Sequence, residues 1–240
     1  MTQNQGPPPY WIDPDSPGIY FPDVENALVE PDGLLAVGGD LSSERLLYAY
    51  RNGIFPWYGP DQPILWWSPD PRLVLFPEDL RISRSLAKTL KKHPFTVTFD
   101  TAFEQVIAAC AEPRPGQAGT WITPEMQAAY VRMHELGHAH SVECWQAGEL
   151  AGGLYGLALG RVFFGESMFT RITDASKVGF VTLVQMLQRR GYRLIDCQVR
   201  TGHLESLGAA LIPRREFTRI LDRETWQTDN SPWVLENPAG

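Results

Sequence analysis

Apolar and polar positions along the chain sort into strands and helices by their spacing. Leu73-Val74-Leu75-Phe76 reads as a buried strand, and Phe95-Thr96-Val97-Thr98-Phe99 alternates with period two. Ser141-Val142-Glu143-Cys144-Trp145 is a further strand. Residues 149–158 and 161–169 form a hairpin-like pair with Leu159-Gly160 near the turn. Helical spacing begins at Ser42 or Ser43 and runs to about Asn52, with Leu46, Leu47 and Tyr50 on the apolar side and Gly53 fitted to end it. A helix is expected over residues 83–92, and another from a cap at Asp100 or Thr101 to about Cys110. Residues 112–119 read as loop. Thr123 as N-cap, Pro124 in the first position and Glu125 in the first turn open a helix that ends near Leu136-Gly137. Ala175 or Ser176 starts one that runs to about Arg190, with Val181, Leu183, Val184 and Leu187 apolar.

After that helix, Gly191 precedes Tyr192-Arg193-Leu194-Ile195-Asp196-Cys197-Gln198-Val199, a short buried strand. Asp196 and Gln198 stand two residues apart, so period two puts both on one face. An acid and an amide on an otherwise apolar strand need hydrogen-bond partners or a cleft to face. Glu166 makes a similar demand, because it interrupts an apolar run of Phe163, Phe164, Met168 and Phe169.

Two further stretches carry candidate chemistry. Between Phe55 and Trp67 the chain places Trp57, Trp66 and Trp67 among prolines, a setting that serves either packing or the stacking of a flat ring. Packing at an inter-domain seam is the expectation for Trp66 and Trp67. Trp121 sits where a loop enters a helix, a place from which a ring can be presented. Arg81, Arg84, Lys88, Lys91 and Lys92 lie in a segment without acids, and Arg84, Lys88 and Lys91 share a helix face. A solvated helix face normally mixes signs, so this segregation favours contact with a phosphate backbone. Gly38-Gly39 matches no phosphate-binding fingerprint and reads as a structural turn. His134, His138 and His140 lack the register of a zinc site, and no metal is expected.

Bulk properties narrow the class. The chain has 240 residues, 43% hydrophobic and 20% charged, with a net charge of −7. That is room for one large domain, or a main domain with a smaller one. The net negative charge opposes a broad nucleic-acid-coating surface but allows a local basic patch. Cys110, Cys144 and Cys197 form no CxxC, which fits a reducing cytosol. The proline-rich start, residues 1–18, is expected to be extended or partly disordered and lacks a signal-peptide pattern; no run reaches membrane-spanning length.

Several strings, in order, resemble the bacterial leucyl/phenylalanyl-tRNA-protein transferases of the N-degron pathway. They include Pro31-Asp32-Gly33-Leu34-Leu35-Ala36-Val37-Gly38-Gly39-Asp40-Leu41, Gly53-Ile54-Phe55-Pro56-Trp57 and Trp66-Trp67-Ser68-Pro69-Asp70-Pro71-Arg72. Gly119-Thr120-Trp121-Ile122, residues 134–141, Phe164-Gly165-Glu166-Ser167-Met168-Phe169 and Leu194-Ile195-Asp196-Cys197-Gln198 complete the set, over about residues 20–220. The resemblance implies an α+β chain: a flexible start over 1–20, a small N-terminal domain over 21–72, and a larger mixed-sheet domain like the acetyltransferase (GNAT) fold over 73–240. It implies transfer of Leu, Phe or, less well, Met from aminoacyl-tRNA to proteins beginning with Arg or Lys. The cysteine usage places this in the cytoplasm, and a monomer is expected because no amphipathic stripe is left without an intramolecular use. The aminoacyl ester is already activated, so no ATP, cofactor or metal is implied.

The same resemblance assigns roles. Asp196 polarises Gln198, whose amide oxygen attracts a proton of the attacking amine; a neutral glutamine suits an orienter better than a base, so the pair is expected mainly to hold the amine. Leu154, Phe163, Met168, Phe180 and Ile195 line the pocket for the donor side chain, and Glu166 orients the donor amino group or a pocket wall. Leu154 and Phe180 depart from the residue types associated with the family. Trp57 and Trp121 stack the terminal adenine, and Arg81, Arg84, Lys88, Lys91 and Lys92 grip the acceptor stem without reading sequence. A CoA-dependent N-acetyltransferase is the nearest alternative, although the chain lacks a Q/R-x-x-G-x-G/A loop for CoA pyrophosphate. A non-catalytic tRNA-binding module is the second, and it leaves Glu166 and the Asp196/Gln198 pair without a purpose.

Overall fold

The computed structural model describes residues 8–16, 18–113, 120–227 and 232–234. Short strands build a first sheet: β1 (Tyr10–Ile12), β2 (Leu34–Gly38), β3 (Phe55–Pro56) and β4 (Leu65–Trp67), in the order β1-β2-β4-β3. Pro56 lies on the edge strand, where its missing N–H costs no ladder bond. Tyr10–Ile12 pairs in parallel with Ala36–Gly38 and buries Ile12, so this part of the proline-rich start is an ordered strand. Residues 1–7 of that start and most of the expected loop over 112–119 lie outside the described residues.

Trp66 is fully buried; its Nε1 donates to the Gly38 carbonyl at 2.9 Å and its ring meets Phe21 edge-on. Trp67 donates to the Trp57 carbonyl at 2.7 Å. These contacts fix both indoles on the first sheet, and both pack on the core that Tyr155 and Phe164 share. Gly38 and Gly39 have φ of 92° and 76°, and a Cβ on Gly38 would stand 2.5 Å from the Ile12 carbonyl oxygen. The glycines are there for a turn against β1. Helix α1 (Ser43–Arg51) follows, and Gly53 leaves it at φ 75°.

The larger sheet has the order β11-β5-β10-β9-β8-β7-β6. Its strands are β5 (Arg72–Leu75), β6 (Thr96–Phe99), β7 (Ala139–Gln146), β8 (Glu149–Leu159), β9 (Val162–Thr170), β10 (Leu194–Gln198) and β11 (Ala210–Ile212). Within this sheet, among the described residues, only β9 and β10 pair in parallel, joined by the crossover helix α5 (Ala175–Arg189). The remaining helices are α2 (Arg84–Lys92), α3 (Phe103–Ala111), α4 (Pro124–Glu135), α6 (Gly202–Ser206) and α7 (Arg214–Glu224). The expected α+β class with a mixed sheet is the observed one.

Alternation along the sheet divides the core. Tyr155 and Phe164 join Tyr50, Trp66, Tyr130 and Phe217 on one side, whereas Leu154, Phe163 and Ile195 join Phe180 and Leu183 of α5 on the other. The cap expected at Asp100 or Thr101 does not form, and α3 starts after Ala102. Thr101 instead donates its hydroxyl to Glu143 at 2.9 Å, and Asp100 accepts from the Ser141 N–H at 2.8 Å and meets His140 Nδ1 at 2.7 Å. Glu143 is completely buried, and the need to supply it with donors outweighs a helix cap. Thr123 does cap α4, accepting from the Met126 N–H.

Candidate active site

Strand β10 departs from the alternation that its sequence suggests. Asp196 pairs with Val74 of β5, and the next pair is Gln198 with Leu73, so Cys197 is an extra residue in the ladder. Gln198 has φ 60°, a left-handed backbone seldom adopted by a non-glycine residue. This β-bulge re-aims the strand's last side chain and overturns the expectation that period two governs the Asp196/Gln198 pair.

Asp196 faces Arg72, the first residue of β5. The guanidinium donates through Nε at 2.8 Å and Nη2 at 2.7 Å, and both side chains are almost fully buried, at 1% and 0% exposure. Arg72 Cζ lies 4.6 Å from the Phe55 ring centroid and 4.7 Å from that of Phe217. Asp196 Oδ1 also accepts from the backbone N–H of Gln198 at 2.9 Å. Asp196 therefore holds the bulge, and its link to Gln198 runs through the main chain, not through the side-chain amide expected to be polarised.

The Gln198 amide goes elsewhere: Nε2 donates to Glu166 Oε1 at 2.8 Å. Glu166 also sits at an irregularity, since Tyr155 pairs with Ser167 and Gly156 with Gly165, leaving Glu166 between. Its carboxylate accepts from the hydroxyls of Tyr50 at 2.7 Å and Tyr130 at 3.0 Å, and those two hydroxyls touch each other. Burial pushes the Glu166 carboxyl up to about 7; the donors from Tyr50 and Tyr130 pull it down, the charge of Asp196 pushes it up, and Gln198 pulls it down. Burial first, then the Glu166 charge, drives the Tyr50, Tyr130 and Tyr155 hydroxyls well above their usual range. The Tyr155 hydroxyl is buried without a partner among the described residues.

Leu154, Phe163, Met168, Phe180 and Ile195 line one cavity of about 360 Å³, together with Trp121, Glu166, Asp196 and Gln198. The expected pocket residues are thus brought together beside the polar cluster. Thr201, His203 and Leu204, on and just before α6, add a wall that sequence reading did not single out. Burial, then the charge of Lys177, lowers the pKa of His203 below the ordinary imidazole value. A larger groove of about 1040 Å³, bordered by Trp11, Tyr58, Pro124 and Arg132, carries none of this cluster.

Trp57 is placed apart from the cavity lining, with 42% of its surface exposed and its ring edge-on to Trp67 at 5.8 Å. Arg81, Arg84, Lys88, Lys91 and Lys92 are all exposed, and among the described residues none forms an ion pair. Helix α2 buries Leu86, and Thr89 donates to Asp174 at the start of α5, the helix that brings Phe180 to the cavity. His134 stacks on Phe103 and His140 meets Asp100.

The fold and the cleft together define an α+β protein with an apolar pocket beside a buried polar cluster. Residues 74–222 match the family model described as leucyl/phenylalanyl-tRNA protein transferase, and residues 39–70 match the model of that family's N-terminal domain. The chain belongs to this family. A leucyl/phenylalanyl-tRNA-protein transferase of Aromatoleum aromaticum is 66% identical over 219 residues, covering 91% of this chain and 89% of its own. One of Stutzerimonas stutzeri is 59% identical, covering 93% and 98%. Among solved structures, L-PGS from Bacillus licheniformis is similar with TM-score 0.41 and 11% identity, over 71% of this chain and 57% of that one. A GCN5-related N-acetyltransferase from Kribbella flavida has TM-score 0.34 and 15% identity, over 69% and 58%.

Proposed function

We propose that this chain transfers leucine or phenylalanine, and less well methionine, from aminoacyl-tRNA to the α-amino group of proteins beginning with arginine or lysine, marking them for degradation. The observation that carries this reading is the apolar cavity opening on Gln198 and Glu166. The first sheet and the seven-stranded sheet are read as the two expected domains, 21–72 and 73–240, with β1 added to the smaller. A monomer in the cytoplasm is the working form.

In the reaction the acceptor amine attacks the ester carbon. A C–N bond forms, the C–O bond to the terminal ribose breaks, the ribose oxygen takes a proton, and the amine gives one up. An α-amine with pKa of about 8 has a useful neutral fraction near neutrality, so alignment is the main task. Glu166 as a carboxylate only accepts, so it must face the NH₂ of Gln198. That leaves Gln198 Oε1 free among the described residues to accept a proton of the amine. Asp196 acts behind it, by fixing the bulge. Because Arg72 neutralises Asp196, this carboxylate does not hold the amine in its unreactive ammonium form. Trp121 at the cavity, and Trp57 outside it, are read as surfaces for the terminal adenine, and α2 as the grip on the acceptor stem.

The test is transfer of radiolabelled leucine from charged tRNA to a protein beginning with arginine, with an alanine-initiated control and an acetyl-CoA assay alongside. Label on the arginine-initiated protein alone is expected. Absence of label there, or acetyl transfer in its place, refutes the reading.

A further inference from the structure

Trp233 lies beyond residues 74–222 that match the family model, yet it returns to the sheet on the side of α5. Its indole stacks on the His140 ring with centroids 3.8 Å apart and planes 7° apart, and it meets Phe99 edge-on at 6.2 Å. His140 is itself held by Asp100 at 2.7 Å. Arg190, just after α5, donates to the Pro232 carbonyl and holds its Cζ 5.7 Å from the indole centroid. Residues of β6, β7 and α5's C-terminal end therefore seat one side chain.

That side chain has a further neighbour. The Phe163 ring lies 5.9 Å from the indole, is 1% exposed, and forms part of the cavity lining. Gly156 lies on the opposite strand, and a Cβ there would stand 2.6 Å from Phe163 Cζ. The ring packs against both the Gly156 backbone and the indole of Trp233. Close-packed interiors transmit such constraints, because a ring can retreat only into space that exists.

We propose that Trp233 is a specificity-determining residue that sets the depth of the donor pocket by bracing Phe163. This rests on reading the cavity as the donor side-chain pocket. Trp233 touches no substrate; it is a positioning residue acting through one ring. Without the indole, Phe163 gains room to withdraw, and the pocket deepens in favour of the larger donor.

The experiment compares kcat/KM for leucyl-tRNA and phenylalanyl-tRNA, with one arginine-initiated acceptor, in the full chain and in Trp233→Ala, Trp233→Phe and Phe163→Ala. Trp233→Ala should raise the Phe:Leu ratio about tenfold, the lower end of what a methylene-sized step in a pocket is worth. Trp233→Phe should restore the ratio to within about threefold of the parent, and affinity for uncharged tRNA should not move. Should Trp233→Ala fail to fold, Trp233→Leu reads the same ratio. A ratio unchanged in folded Trp233→Ala or Trp233→Leu, with Phe163→Ala shifting it, overturns the role of Trp233 alone. A ratio unchanged in Phe163→Ala as well overturns the reading of the cavity.

Discussion

Replacing Asp196 by Asn tests whether this acid positions or performs chemistry. The substitution keeps the shape and removes the charge, leaving the Arg72 guanidinium buried between two rings without its counter-ion. It also turns an acceptor into a donor opposite Nε or Nη2, now bonded at 2.8 and 2.7 Å. Both partners are almost completely buried, so solvent and salt give little relief. Breaking such a pair from one side costs about 3–5 kcal/mol. For a chain of this size each kcal/mol lowers Tm by roughly 2–4 °C, so Asp196→Asn should melt on the order of 10 °C below the parent. The double variant Arg72→Met/Asp196→Asn should recover part of that loss, because it removes the stranded charge. Thermal unfolding supplies the first measurement, and kcat against pH, taken below the variant's transition, the second. A positioning role predicts a lower kcat with no ionisation lost from the pH profile, the Glu166 step moving to lower pH as the Asp196 charge is removed. An Asp196→Asn protein as stable as the parent, with an ionisation missing from kcat, would refute the reasoning.

Other outcomes follow from the same geometry. Glu166, buried and raised from 4.5 to about 7, binds its proton more tightly when folded than when unfolded. Stability therefore falls as pH climbs through that window and levels off above it. Glu166→Gln should remove about 3 kcal/mol of this slope, read by denaturation at pH 4.5 and 8, and an identical slope in parent and variant would exclude the carboxyl. Reversing Lys88 and Lys91 to glutamate should weaken tRNA binding and flatten its salt dependence by roughly one unit per lost phosphate contact; an unchanged slope would remove α2 from the interface.

Much of this was legible from local pattern. The long strands β7, β8 and β9 and helix α5 follow from their apolar runs, because each is buried over most of its length. Asp196, Gln198 and Glu166 were conspicuous as polar residues in apolar runs. Their partners were not, for reasons of pairing. Arg72 comes from another strand 124 residues away, and only the pairing of β5 with β10 brings it to Asp196. Tyr50 and Tyr130 sit on amphipathic helices, where a tyrosine reads as core until its hydroxyl is seen to reach Glu166. The bulges at Cys197 and Glu166 depend on the register of neighbouring strands, which alternation alone cannot reveal. The strands of the first sheet are short and interrupted by proline and glycine, so pairing rather than propensity makes them.

Arg72 has one ring beside it from β3 and another from α7, far apart in the chain. During synthesis the strand that carries Asp196 leaves the ribosome before Phe217 does. Until the last helix docks, the ion pair has one side open to water, and the bulge that aims Gln198 has an unfinished support. Emergence of α7 and closure of the cluster are thus coupled steps. A nascent transferase stopped short of α7 would hold both charges of the pair without the ring that closes them off from water.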